Sequence, residues 1–454
     1  MAAVPILRIR PCTRPCRRQP HTHGAAVAQG RIVPGAIHLG EGITDDRRRL
    51  WPAARIAFTG ALVLFVTTIV TGILNGIDVY SPDRDVLMGH VHAGTLGWIT
   101  LALTGATLLV FTDGRAVPAA EIVQARWLAK AMTGAVFLLV AAFYAGDAIP
   151  GEHFTRPITG TILLAVVVWF LAWIVRFQRD VARTVARLGL QLAFASMLIG
   201  TVFGIVLGIT TSGRVVPGLS ATTTDAISQA HPASMVIGFL LLAACAMIEW
   251  LLGDPPIGES PSGVFQMWML FVAGILVNIA FVLRVEDALI PPANAAMIAG
   301  VVMLIARRRH DLEPSAWRGA GTGWFPRIGM IFLIGYVALL TIIVIRFASG
   351  SIDIDTLSPQ DRGLVIALDH TMFIGVMTNT LFGALAATLH GRAVGIVDRI
   401  LLWGGAMGTA GFVAGLILVE ALPKRIFTPI MGLALLLGVA GYLMEMRRPA
   451  PQQP

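Results

Sequence analysis

Residues 90–98, HVHAGTLGW, place two histidines inside an apolar stretch that is long enough to cross a membrane. Two other apolar stretches carry an imidazole in a similar setting, His231 in one and His370 in the other. Each of these histidines comes a few residues after its stretch begins. Ionisable side chains at such depth in a membrane are costly and usually functional. The sequence therefore predicts a functional site built from imidazoles on several helices.

The composition around these stretches is that of an integral membrane protein. Of the 454 residues, 56% are hydrophobic and 13% are charged, whereas about 25% of the residues in a soluble domain are charged. Apolar runs of roughly 20 residues suit helices, and strand-type alternation is absent. We expect an all-α polytopic fold with twelve spans at 52–73, 88–112, 127–146, 157–177, 188–211, 227–252, 264–283, 287–306, 326–346, 364–389, 396–420 and 426–446.

Arginine is concentrated in the N-terminal tail and in the connections that follow even-numbered spans, which sets the expected orientation. Only the acidic loop at 253–263 departs from this pattern. We expect a multi-pass protein of the bacterial cytoplasmic (inner) membrane, with both termini in the cytoplasm. Spans two, six and ten then run inward, and their histidines lie in the outer half of the membrane.

Three segments are expected along the chain. Residues 1–50 are rich in proline and arginine and lack the apolar core of a secretory signal, so they predict a disordered cytoplasmic tail. Residues 51–446 form the membrane domain, and 447–454 a short cytoplasmic tail. Cys12, Cys16 and Cys245 are too few for a disulfide framework, and the basic residues sit in a tail and short loops, which does not favour nucleic-acid binding.

The spacing around the histidines selects among them. His90 and His92 point about 160° apart on a helix, so one of them at most faces a given site. Glycine follows five residues after both His92 and His370, at Gly97 and Gly375, and could leave room for a flat macrocycle. This repeated spacing favours His92 over His90.

Imidazole is a standard ligand of haem iron and of copper. His92 and His370 are therefore candidate haem and metal ligands, with His90 as the alternative on its helix. His231 is a candidate metal ligand or a residue lining the distal pocket. The competing interpretation for each is a histidine that is merely hydrogen-bonded inside an apolar helix.

Twelve spans with histidine on the second, sixth and tenth resemble the catalytic subunit I of haem-copper oxidases and nitric oxide reductases. His231-Pro232 is similar to the start of the histidine motif on that family's sixth helix, and Lys424-Arg425 resembles the basic pair that holds haem propionates. The resemblance covers residues 52–446. It implies a haem between spans two and ten and copper near span six.

Several features depart from that pattern. Span 264–283 has no histidine, so the paired copper ligands of the family are missing. Ala233, Ser234 and Met235 follow His231-Pro232 where the family has a glutamate and a tyrosine, and the tenth span has only His370. A proton-pumping oxidase with a complete binuclear centre is not expected.

The pattern at 90–98 also resembles the opening histidine motif of the NnrS family, and His370 with Gly375 and Gly383 is similar to a later stretch there. That family consists of haem- and copper-containing membrane proteins of the bacterial nitric oxide response. The resemblance implies a haem protein, with copper as a second candidate cofactor, and an oxidoreductase if it is an enzyme.

The expected partners are membrane lipid, nitric oxide or oxygen, and an electron donor. Ligation by two histidines would suit electron transfer, and ligation by His370 alone would leave an open face on the iron. The sequence leaves both open. The alternative is a twelve-helix secondary transporter without a cofactor, although we see no half-to-half repeat of the kind common in transporters.

Overall fold

The computed structural model describes residues 45–112, 116–146, 152–179, 181–211, 219–352, 357–390 and 393–447. Twelve of its helices are long and apolar enough to cross a membrane, so the all-α, multi-pass fold is confirmed. They are α1 (Asp45–Gly76), α2 (Arg84–Val110), α3 (Ala119–Ala145), α4 (Glu152–Phe177), α5 (Val185–Thr211), α6 (Ala221–Gly253), α7 (Pro261–Leu283), α8 (Glu286–Arg307), α9 (Trp324–Ala348), α10 (Pro359–His390), α11 (Ile396–Ile417) and α12 (Ala421–Arg447).

Most of the helices begin several residues before the predicted apolar spans. The first helix already begins at Asp45, inside the segment expected to be a tail, while residues 1–44 and 448–454 lie outside the described part of the chain. The three helices that carry the candidate histidines begin at polar N-caps: Asp83, Ser220 and Ser358 accept hydrogen bonds from backbone amides in the first turn. Such caps satisfy amides that an apolar pattern does not reveal.

Three helices are central and nine are peripheral. In the most apolar window of α2, α6 and α10, 89%, 78% and 72% of the residues are buried, against 33–44% in the other nine helices. The peripheral helices form a closed ring in the order α1, α3, α4, α5, α7, α8, α9, α11, α12 and back to α1. The histidine repeat at every fourth span thus marks the central helices. Their apolar residues face protein on all sides, as expected for a helix inside a bundle.

Each central helix changes from α to π geometry just after its histidine. The π segments are Ala93–Thr100, Ser234–Leu240 and Thr371–Thr378. A π turn misaligns backbone carbonyls, and side chains pair with some of them: Thr100 donates to the carbonyl of residue 95 at 3.0 Å and Thr378 to that of residue 373 at 2.8 Å. Trp98 Nε1 also donates to Thr378 Oγ1 at 2.9 Å, which joins α2 to α10.

The end of the bundle where α2, α6 and α10 begin is called the proximal end, and the opposite end the distal end. At the distal end, Glu249 of α6 is fully buried and pairs with Arg307 and Arg308 at the end of α8. Asp254, in the acidic loop that departs from the arginine pattern, accepts a hydrogen bond at 3.0 Å from Ala186 N in the first turn of α5. Burial raises the pKa of the Asp254 carboxyl, and the hydrogen bonds from Thr184 and Ala186 oppose that rise. Asp254 therefore stabilises the N-terminus of α5. This role explains its presence in a loop where the arginine pattern predicts basic residues.

Glycines in α11 allow close packing against α12, as their spacing predicts. A Cβ at Gly404 would lie 2.7 Å from that of Ala434, and one at Gly408 would lie 2.6 Å from the Met431 backbone. His390 is the last residue of α10 and stacks on Tyr442 with ring centroids 5.8 Å apart.

Candidate functional site

All four histidines of the central helices lie toward the proximal end. His90, His92, His231 and His370 come six to eleven residues after the first residue of their helices, which is about 9 to 17 Å along the axis. They precede or begin the change to π geometry, a feature that is frequent at functional sites. The common depth of the imidazoles follows from the shared direction of α2, α6 and α10.

Backbone carbonyls orient three of the imidazoles. Nδ1 lies 2.8 Å from the Met88 carbonyl in His92, 2.8 Å from the Gly200 carbonyl in His231 and 2.8 Å from the Ile366 carbonyl in His370. A carbonyl only accepts, so Nδ1 must carry the proton and Nε2 must present its lone pair. This is the tautomer of a metal-ligating histidine whose other nitrogen is held by the protein.

None of the Nε2 atoms of these three residues has a hydrogen-bond partner among the described residues. The three histidines are half-buried. Each Nε2 lone pair is therefore available to a ligand.

His90 and His370 form one pair, which we call the 90–370 pair. The two imidazoles are close enough to interact electrostatically. A Cβ at Gly72 of α1 would lie 3.4 Å from Cε1 of His90, and Phe412 of α11 meets His370 edge-on with centroids 5.0 Å apart. Oγ1 of Thr68 is buried without a hydrogen-bond partner in the described structure, and the Thr68 backbone lies beside the His90 imidazole. Unsatisfied buried polar atoms are rare and call for an explanation.

His92 and His231 form a second pair, the 92–231 pair, on the opposite face of α2. The two interact electrostatically with each other, and His92 also interacts with Arg156 of α4. The His92 ring stacks on Phe143 of α3 with centroids 3.8 Å apart. The 92–231 pair is thus surrounded by α3, α4 and α5, whereas the 90–370 pair is surrounded by α1 and α11.

The preference for His92 as the partner of His370 rested on the glycines, and the structure gives those glycines another role. A Cβ at Gly97 would lie 2.7 Å from Cβ of Leu64, and one at Gly375 would collide with the ring of Phe332. Both glycines therefore allow close helix packing instead of leaving room for a macrocycle. His90, the alternative on its helix, interacts electrostatically with His370, and the ligand assignment itself stays a prediction.

The basic pair near the start of α12 lies at the proximal end. Arg425 is exposed and pairs with Asp78 at 3.0 Å between Nε and Oδ2, which joins α12 to the loop after α1. Lys424 is half-buried, and its stem packs against Gly415 of α11. These residues lie among α1, α11 and α12, on the side of the 90–370 pair, where Lys424 has no ionic partner among the described residues.

The described residues contain no group of three or more His, Cys, Asp and Glu side chains that could hold a metal ion. In α7, where the oxidase family has copper ligands, Asn278 accepts a hydrogen bond from Ser234 at 2.7 Å. Asp369 does not orient its neighbour His370, whose Nδ1 is bound to the Ile366 carbonyl.

Sequence reasoning did not identify the residues that surround the two pairs. Thr68, Gly72, Phe143 and Phe412 are ordinary residues of apolar helices, and their proximity to the histidines depends on how the peripheral helices pack. Arg156 did offer a signal, because an arginine at the start of an apolar span suggests a buried or interfacial ion pair. It pairs with Asp85 of α2 at 2.6 Å between Nη2 and Oδ1.

No protein-family model matches this chain, and no curated protein matches it either.

Proposed function

We propose that this membrane protein binds haem at the 90–370 pair and uses it for electron transfer. One observation carries the proposal. Two imidazoles from neighbouring central helices, His90 and His370, interact electrostatically beside the buried Thr68 hydroxyl, which has no hydrogen-bond partner among the described residues. Such a site suits a prosthetic group that supplies most of the metal's ligands itself.

The number of protein donors supports haem over a bare metal ion. A protein-bound zinc or copper ion needs three or four protein ligands, and the described residues bring no such group together. Haem supplies four nitrogen ligands itself and needs one or two from the protein. Two imidazoles are therefore a complete axial set for haem and an incomplete set for copper.

Each surrounding residue has a distinct part in holding such a group. The Ile366 carbonyl fixes the tautomer and rotation of His370, Phe412 packs against that ring, and Gly72 leaves room beside His90. Lys424 lies on this side of the bundle without an ionic partner among the described residues, and it suits a haem propionate. When bound by two histidines, haem iron is coordinatively saturated and exchanges electrons without taking a further ligand.

The biological context comes from the resemblances in sequence. Those to NnrS proteins and to haem-copper oxidases favour a role in the bacterial nitric oxide response, in the cytoplasmic membrane, with both termini inside and a separate electron donor. The absence of a glutamate and a tyrosine after His231-Pro232 supports a protein that does not pump protons. Copper at His231 is the less supported part, because no third donor joins it in the described structure.

The test is a reduced-minus-oxidised optical spectrum of the purified protein, with iron and copper measured on the same sample. We expect a Soret band and an α-band of low-spin haem that nitric oxide does not shift. A shift on adding nitric oxide would contradict two-histidine ligation and favour an open iron that senses or detoxifies the gas. Absence of both haem and copper would overturn the proposal that the protein binds a cofactor, and would favour a secondary transporter.

A further inference from the structure

A groove of about 510 Å³ lies on the outer surface of the bundle, between α4 and α5 at the distal end. We propose that it binds one anionic phospholipid, with an acyl chain in the groove and the phosphate between Arg176 and Arg179. The proposal is independent of haem, since none of the described residues that line the groove is a candidate haem ligand.

One face of α4 supplies most of the lining. Its residues recur at helical spacing along the groove: Val168, Leu171, Ala172, Val175, Arg176 and Arg179. Val168 is 48% exposed and Val175 is 44% exposed, whereas Phe170 and Trp173 on the opposite face are buried. Leu198 of α5 forms the other wall. The groove therefore faces the surrounding lipid and not the interior of the bundle.

The groove is apolar along most of its length and basic at one end. Val168 and Arg176 lie eight residues apart in the lining, which is about 12 Å along a helix axis. One leaflet contributes about 15 Å of hydrocarbon to a bilayer. Arg176 is the penultimate residue of α4, and Arg179 follows the end of the helix. The length and polarity of the groove thus match one lipid chain beneath its headgroup.

The two arginines lack a counterion within the protein. Both are exposed, and neither side chain forms an ion pair or hydrogen bond with a described residue, whereas Arg307, Arg308 and Arg327 at the same end are paired with carboxylates. Like charges three residues apart on one helix face repel each other. A phosphate group accepts hydrogen bonds from more than one guanidinium and would offset that repulsion.

The apolar walls favour a phospholipid over a free phosphate ion. An ion would contact the guanidinium groups alone and would leave the groove beneath them unfilled. A zwitterionic lipid would fill the groove, but its ammonium group would lie close to the two arginines. The arginine pattern predicts that the distal end is cytoplasmic, the side on which anionic lipids attract basic residues. These conditions together select an anionic lipid.

Native mass spectrometry of the delipidated full-length chain, in a non-ionic detergent, provides the test. The chain is titrated with dioleoylphosphatidylglycerol and, in parallel, with dioleoylphosphatidylcholine, which has the same acyl chains. One basic residue beside an anionic lipid corresponds to about a 5-fold change in affinity. We therefore expect Arg176→Gln with Arg179→Gln to weaken phosphatidylglycerol binding about 30-fold and to leave phosphatidylcholine binding nearly unchanged.

Two matched controls separate the site from its surroundings. Arg126→Gln with Arg399→Gln removes the same charge from exposed positions on α3 and α11 toward the distal end, and should change the affinity much less. Ala172→Trp fills the groove while both of its arginines remain, and should weaken phosphatidylglycerol binding. Ala141→Trp, at an exposed alanine of α3, should not. All four positions or pairs are exposed, so the variants should fold.

Four outcomes would overturn the site. Equal affinity for the two lipids would show that the arginines do not select a negative charge. An equal loss in the Arg126 and Arg399 variant would indicate a general attraction to the basic end. Unchanged binding in Ala172→Trp would show that no acyl chain occupies the groove. Displacement of the lipid by an excess of sodium phosphate would show that the arginines bind a free anion.

Discussion

At the scale of single residues, the feature that defines the site is the orientation of its imidazoles by backbone carbonyls. The Met88, Gly200 and Ile366 carbonyls hold Nδ1 of three histidines and leave Nε2 free. A carboxylate in their place would add a negative charge inside the membrane, where charge is costly. Carbonyl partners avoid that cost and still fix the tautomer.

The assignment of His90 and His370 to one haem is tested by comparing single with double histidine variants. His90→Ala and His370→Ala should remove the same haem, so the double variant should lose no more haem than either single variant. His92→Ala should keep this haem, because His92 projects from nearly the opposite face of α2. Optical quantification of haem in the wild type and these variants checks the prediction. Loss of the haem in His92→Ala, with retention in His90→Ala, would restore the pairing that the glycine spacing suggested.

At the scale of elements, the π segments decide how the central helices meet. Trp98 donates to Thr378, which itself donates to the Phe373 carbonyl left open by the π turn. One threonine thus satisfies two buried groups on two helices. These contacts fix the rotation of each helix about its axis, and so the direction in which the histidine before the π segment projects.

Thr378→Val should destabilise the fold by about 1–3 kcal/mol, because it leaves the Trp98 N–H and the Phe373 carbonyl without partners at nearly unchanged volume. The free energy of unfolding in mixed micelles provides the measurement. Thr341→Val is the matched control, since Thr341 only donates to the carbonyl four residues back in the peripheral α9. An equal loss in both variants would mean that the Trp98 contact contributes nothing.

At the scale of the whole molecule, charge is gathered at the two ends of the bundle. The distal end holds Glu249, fully buried between Arg307 and Arg308. Glu249→Ala would leave two guanidinium groups without their carboxylate and should cost about 3 kcal/mol of unfolding free energy. Glu420→Ala, at an exposed position, should change it by less than about 0.5 kcal/mol. Similar unfolding free energies for the two variants would show that solvent, and not Glu249, compensates the positive charges of Arg307 and Arg308.

The orientation of the bundle is also testable on the whole molecule. In a background without Cys12 and Cys16, with Cys245 buried, single cysteines are introduced as Val79→Cys and Ser315→Cys. Both positions are exposed, Val79 at the proximal end and Ser315 between α8 and α9 at the distal end. A membrane-impermeant maleimide should label Val79→Cys in intact cells and Ser315→Cys only after permeabilisation. The reverse pattern would invert the orientation that the arginines predict.

The sequence predicted the fold well because the features that decide it are local. Twelve apolar runs separated by polar breaks give twelve helices, and the histidine spacing identified α2, α6 and α10 before their central position was known. The ends of the helices were less predictable, since a helix continues past its apolar run until its caps are satisfied. His390 shows this, because α10 continues to it and Tyr442 covers it.

By itself, the sequence determined that this is a twelve-helix membrane protein with imidazoles at one depth on three helices. Only the tertiary structure decided which of these imidazoles interact with each other. Burial of apolar runs depends on composition along the chain, but the partner of a side chain depends on helix rotation. The π turns change that rotation, and peripheral side chains such as Leu64 and Phe332 occupy the space that glycine spacing suggested for a ligand. His90 therefore interacts electrostatically with His370, and His92 with His231.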